Sequence, residues 1–157
     1  MLFEEYQAKV AQAVRSVQQD KFDDAIALSK AIIRDEVCID NPVVRIWPAG
    51  IIVSAHLFKI AARGREPSPG SDDYRELHQY TKLVLQDFEQ LDADEQDNYR
   101  TSNNHFHILK ALYQLTEAGK PLGELSVHQA TPKKGGCAGV VILFLLVAGT
   151  AASSLFA

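Results

Sequence analysis

Twenty-one consecutive residues without a charge, Cys137 to Ala157, constrain this 157-residue chain more than anything else in it. Sixteen of them are apolar, and every charged side chain lies among the preceding 136 residues. As a helix rising about 1.5 Å per residue, the stretch spans roughly 31 Å, the thickness of a bilayer's hydrocarbon core. Its β-branched residues form helices poorly in water, but lipid forces each backbone group to pair within the segment. The expectation is a C-terminal transmembrane anchor over 137–157, carried by Cys137, Val140, Val141, Ile142, Leu143, Phe144, Leu145, Leu146 and Val147. Lys133 and Lys134 stand just before it, and the positive-inside tendency then puts the N-terminal domain in the cytoplasm. Met1-Leu2-Phe3-Glu4-Glu5 turns acidic at once, unlike a secretory leader. The expected protein is single-pass and tail-anchored, in a bacterial inner membrane or a eukaryotic endomembrane, with the lipid bilayer as one partner. Ala148/Ala152 and Gly149/Ser153 are small-xxx-small pairs that let helices approach closely, which leaves a homo-oligomer open.

Charge and cysteine content exclude several classes. Sixteen basic against 20 acidic side chains give a net charge of -4, whereas a nucleic-acid binder needs a basic face. Two cysteines, Cys38 and Cys137, cannot build a disulfide scaffold or a four-cysteine zinc site.

The preceding chain reads as all-α, a small bundle of about five helices over residues 1–119. Tyr6, Val10, Ala13, Val14 and Val17 recur at helical spacing within 4–19, and Phe22, Ala25, Ile26, Ile32 and Ile33 do so up to Arg34. Asp20-Lys21 between them makes an αα-hairpin. The middle stretch, Asn41 to Ala62, predicts a buried helix from about Ala49 to Arg63, because Pro48 and Gly50 should break or kink anything earlier. A membrane span there is disfavoured, since Arg45, His56 and Lys59 would each cost about 2.5–3.5 kcal/mol mid-span. Ser71, followed by Asp72 and Asp73, predicts the start of a helix whose stripe runs from Tyr74 to Leu91. A final helix runs from about Asn98 or Ser102 to Ala118, stopped by Gly119 and Pro121. Residues 120–136 are a polar linker that, as a flexible chain, would reach roughly 20–25 Å.

The stretch Asp20-Lys-Phe-Asp-Asp-Ala-Ile-Ala-Leu-Ser-Lys-Ala-Ile-Ile-Arg34 resembles the turn and second helix of a tetratricopeptide repeat, with Phe22 and Ala25 at that family's aromatic and small positions. The resemblance covers about residues 6–36 and implies a helical hairpin; no second copy follows at a period of about 34.

Candidate chemistry is sparse. His105 and His107 are two apart, which on a helix points them about 200° from each other, not onto one metal. Asp87, Glu89, Asp92, Asp94, Glu95 and Asp97 form an acidic run, but Asp97 and Asn103 stand where a calcium loop needs glycine and glutamate. No metal, cofactor or catalytic residue is assigned. The run 87–97, with Asp92, Asp94, Glu95 and Asp97 at its centre, reads first as a solvated interhelical loop and second as a docking surface for a basic protein partner, and Trp47 as a core plug at the bend or an interface anchor. The layout of helical domain, linker and terminal span resembles the tail-anchored mitochondrial fission adaptors. The function expected from it is a non-enzymatic adaptor or membrane-complex subunit, binding a protein through a helical groove or the acidic segment. Two alternatives stay open: a membrane effector whose oligomerisation gathers its C-terminal helices to perforate the bilayer, and an enzyme whose His/Asp/Cys site forms only on folding.

Overall fold

The computed structural model describes residues 2–103, 106–123 and 125. Among them are seven helices: α1 Phe3–Gln18, α2 Phe22–Ile33, α3 Glu36–Ile39, α4 Pro42–Arg63, α5 Asp72–Gln90, α6 Ala93–Ser102 and α7 Phe106–Glu117. The helices pack in series. α1 lies on α2, α2 on α4, α4 on α5 and α5 on α7, so α4 has neighbours on both sides.

Apolar spacing explains that order. One face of α4 sets Ile46, Ala49, Val53 and Leu57 against Leu77 and Val84 of α5, with Leu109 and Leu112 of α7 behind them. Its other face sets Ile52 and Ala55 against Phe22, Ala25 and Ile26 of α2. Each large aliphatic side chain buried this way contributes about 1.5–3 kcal/mol relative to exposure. Tyr6 and Val10 of α1 join Ile32 and Cys38 in a smaller cluster at one end. The α1–α2 turn passes through Asp20 at φ 59°, a left-handed conformation that aspartate tolerates better than most residues.

Three expectations are corrected. First, the described residues form seven helices, not about five. α3 is a single turn capped by Asp35, and α6 splits from α7 because the predicted helix 98–118 stops at Ser102. The polar run Ser102-Asn103 competes for backbone hydrogen bonds there, and the Asn103 side chain donates to the Tyr99 carbonyl at 3.0 Å.

Second, α4 begins at Pro42 and runs through Pro48. Asn41 caps it, accepting from the Val44 N–H, and Pro42 falls where a helix needs no N–H. Gly64 ends it in the left-handed conformation at φ 59°.

Third, the tail-anchored, single-pass arrangement with a cytoplasmic N-terminal domain does not hold, nor does the lipid bilayer as partner. The one helix among the described residues long and apolar enough to cross a membrane is α4, in the middle of the chain. The expected anchor, with Cys137, Val140, Val141, Ile142, Leu143, Phe144, Leu145, Leu146 and Val147, lies outside the described residues, as does most of the linker. α4 itself has the surroundings of a core helix, and its basic groups all meet carboxylates: Arg45 meets Asp87, His56 meets Glu76, and Lys59 and Arg63 both meet Asp23.

Candidate functional site

Two places in the fold concentrate chemistry. The first is a cleft of about 440 Å³ where α2, α4 and α5 meet. His56, 3% exposed, donates from Nε2 to Glu76 Oε2 at 3.0 Å, and the other Glu76 oxygen pairs with Lys30. Lys59 reaches Asp23 at 2.7 Å and Asp73 at 3.3 Å. Burial pulls the His56 imidazole below its ordinary pKa, outweighing the carboxylates of Glu76 and Asp73. A histidine oriented by a carboxylate is a familiar base arrangement, but here the ring is enclosed and its glutamate is shared with a lysine. The network joins three helices.

Deeper in, Asp87 is wholly buried and grips Arg45 through two bonds, Nε to Oδ2 at 3.0 Å and Nη2 to Oδ1 at 2.6 Å. That fork raises the guanidinium pKa further, chiefly through the Asp87 hydrogen bond. A third Arg45 nitrogen donates to the Ile39 carbonyl, so one side chain ties α4 to both α5 and α3.

The second place is the end of the bundle built around Tyr6. Its ring, 5% exposed, packs with Val10, Ile32 and Cys38, and its hydroxyl donates to the Val44 carbonyl at 2.7 Å. Phe3 stacks on it, with ring centroids 6.0 Å apart. Leu2, Phe3, Ile39 and Val43, 78%, 59%, 51% and 39% exposed, are the exposed large apolar residues among the described ones. All four lie within four residues in sequence of Tyr6, Cys38 or Val44, which the fold brings together. Leu2 caps α1 and Phe3 opens it, ahead of Tyr6, Ile39 follows Cys38, and Val43 precedes Val44. Exposed apolar residues scattered singly are ordinary, whereas a gathered set marks a contact surface.

The residues singled out from sequence are dispersed by comparison. Asp92 and Glu95 form a capping box at the start of α6: Asp92 Oδ1 accepts from the Glu95 N–H at 2.8 Å, and Glu95 Oε2 from the Asp92 N–H at 3.1 Å. Asp94 and Asp97 are exposed on the same helix. Asp87, at the head of the acidic run, is in the core. Trp47 is half-buried and meets Tyr99 edge-on, with centroids 5.1 Å apart. Leu2, Phe3, Ile39 and Val43 were missed, because Phe3 lies three residues before Tyr6 on the same helical stripe and reads as core. Only the packing reveals that nothing among the described residues covers it.

The membrane-anchored functions expected from the sequence do not fit the described geometry. The tail-anchored adaptor and the bilayer-perforating effector both need a terminal span, and the one candidate span among the described residues is internal. The enzyme alternative needs histidines, aspartates and a cysteine brought together. Instead His56 meets Glu76, while His78 meets Thr116 at 2.9 Å and Glu117 at 3.1 Å. Cys38 is fully buried, and burial pushes its thiol up to about 11, away from reactive thiolate. Among the described residues no group of three or more His, Cys, Asp or Glu is placed to hold a metal ion. No protein-family model, curated protein or solved structure matches this chain.

Proposed function

We propose that the described helices form a protein-interaction domain, a rigid helical scaffold that presents one end to a partner. The observation that carries this reading is that every exposed large apolar residue among the described ones belongs to a segment ending or beginning at Tyr6, Cys38 or Val44, residues that the fold packs together. The rest of the fold supports rigidity there. Tyr6, Arg45 and Asp87 fasten α1, α3, α4 and α5 to one another by side-chain bonds, so the surface is formed before any partner arrives and little ordering cost attends binding. The α1–α2 unit, which resembles a tetratricopeptide hairpin at Phe22 and Ala25, fits the same reading as the support for that end.

Site-specific photocrosslinking tests it. A benzophenone amino acid replaces Phe3 or Ile39 in one pair of variants, and Gln114, exposed on α7, in a control. In the source cells, discrete adducts from positions 3 and 39 but not from 114 are the expected outcome. Equal adducts from all three positions, or none, would remove the reading.

A further inference from the structure

The chemistry around the Tyr6 end narrows what can dock there. Segments 2–6 and 35–45 hold five carboxylates, Glu4, Glu5, Asp35, Glu36 and Asp40, against the single basic residue Arg45. Arg45 is already committed to the buried Asp87. Glu5 is paired with Lys9 at 2.7 Å, and Asp35 caps α3 by accepting from the Val37 N–H at 3.2 Å. Glu4, Glu36 and Asp40 remain exposed, and no ion pair within the described residues takes them. Exposed carboxylates thus lie in the same two segments as the exposed apolar residues.

Resting on the interaction-domain reading above, we infer that this end binds a basic amphipathic segment of another protein, with apolar side chains seated on Leu2, Phe3, Ile39 and Val43 and lysines or arginines facing Glu4, Glu36 and Asp40. Three occupants from outside the chain compete, and charge separates them. A second copy in a two-fold contact brings the same carboxylates against each other, which opposes association. An anionic lipid surface is repelled in the same way. A helix with apolar residues at i, i+3, i+4 and i+7 and basic residues beside them satisfies both features at once.

The probe is a fluorescein-labelled 18-residue peptide with leucines on one helical face and lysines on the other. A peptide with glutamate in place of lysine is the control. Anisotropy titrations use the full chain. At least tenfold tighter binding of the leucine/lysine peptide is expected, weakening as salt rises from 50 to 500 mM. The double variant Phe3→Ser/Ile39→Ser should lose at least tenfold in affinity. Glu36→Lys/Asp40→Lys should lose as much and flatten the salt dependence. Asp24→Lys/Glu89→Lys, with the same change of net charge on exposed positions elsewhere, should bind as wild type. Circular dichroism of each variant confirms the fold.

Equal binding of both peptides, or full binding by the folded Phe3→Ser/Ile39→Ser protein, overturns the inference. So does a sedimentation-defined dimer that Phe3→Ser/Ile39→Ser disperses, since the occupant is then a second copy. Binding that appears only after residues 126–157 are removed also overturns it, assigning the patch to this chain's own segment. In none of these cases do the photocrosslinking adducts have to vanish, so the two readings fail separately.

Discussion

The hydroxyl of Tyr6 donates to the carbonyl oxygen of Val44 at 2.7 Å, and Val44 is the residue whose helical partner, four positions on, is Pro48. Proline has no N–H to give. α1 therefore supplies the hydrogen bond that α4 lacks, and the helix runs through a proline that should have ended it. Tyr6→Phe leaves a half-buried carbonyl unpaired and should cost about 1–3 kcal/mol in urea unfolding. In a Pro48→Ala background, where an N–H is restored, the same change should cost at least 1 kcal/mol less, within the usual size of coupling energies. Equal costs in both backgrounds would break the link between the two residues.

Gly50 and Tyr99 form the complementary case, in which close contact forbids a side chain. A Cβ at position 50 would lie 2.5 Å from the Tyr99 hydroxyl but 3.7 Å from the ring carbon bearing it. That hydroxyl is buried and has no hydrogen-bond partner among the described residues. Burial drives its pKa well above the ordinary tyrosine value. Gly50→Ala should destabilise by about 1–3 kcal/mol, despite alanine's better helix propensity. Tyr99→Phe should be neutral or stabilising, since the unpaired hydroxyl costs on the order of 1–3 kcal/mol. The double variant should recover what Gly50→Ala loses. Guanidinium melts of the four proteins decide it, and an uncorrected loss in the double variant contradicts the contact.

These two pairs show where sequence stops being informative. The stripes of α1, α2 and α5 were legible because each helix buries one face, so the 3.6-residue period survives in the apolar pattern. α4 was half legible: its apolar content marked it as buried, but its start was hidden because the donor to Val44 lies 38 residues away. The acidic run misled for a related reason. Asp87 and Asp92 look alike in a row of carboxylates, yet one is clamped by Arg45, 42 residues earlier, and the other caps its own helix. The Tyr6 patch was illegible altogether, since exposure of an apolar residue is a property of what fails to cover it.

The Arg45–Asp87 fork carries the next prediction. Asp87→Ala takes the carboxylate from a guanidinium that keeps only its bond to the Ile39 carbonyl, and should cost about 1.5–3 kcal/mol. Arg45→Met/Asp87→Leu, which removes both charges at similar volume, should regain most of it. If the single and double variants have the same urea midpoint, the fork is not an isolated buried pair.

A pH dependence follows from His56. Its pKa is lowered in the folded state by burial, so the unfolded chain binds the proton more readily. Stability is then full above the ordinary histidine value of about 6.5 and falls as pH drops through it toward the folded pKa. Glu76 and Asp73 of α5 favour the charged ring, Lys59 of α4 opposes it, and Lys30 of α2 competes for Glu76. Urea midpoints between pH 8 and pH 5 should decline more steeply in wild type than in His56→Gln. Parallel lines would assign the decline to other groups.

The acidic run gives the last prediction, because the structure divides residues that the sequence treats alike. Asp92→Ala removes the oxygen that accepts from the Glu95 N–H, and it should cost about 0.5–2 kcal/mol of stability. Glu95→Ala removes the return bond to the Asp92 N–H and should act in the same direction. Asp97→Asn touches an exposed carboxylate in mid-helix and should stay within about 0.5 kcal/mol. Asp94→Asn loses only attraction to the helix dipole, a few tenths of a kcal/mol at an exposed site. Any effect of Asp94→Asn/Asp97→Asn on crosslinking from position 3 would then report docking alone, since the fold is undisturbed. The comparison also shows why neutralising all four residues together is a poor experiment: lost binding could come from an unravelled α6. Thermal melts of the four single variants settle the division, and a loss at Asp97 equal to that at Asp92 would erase it.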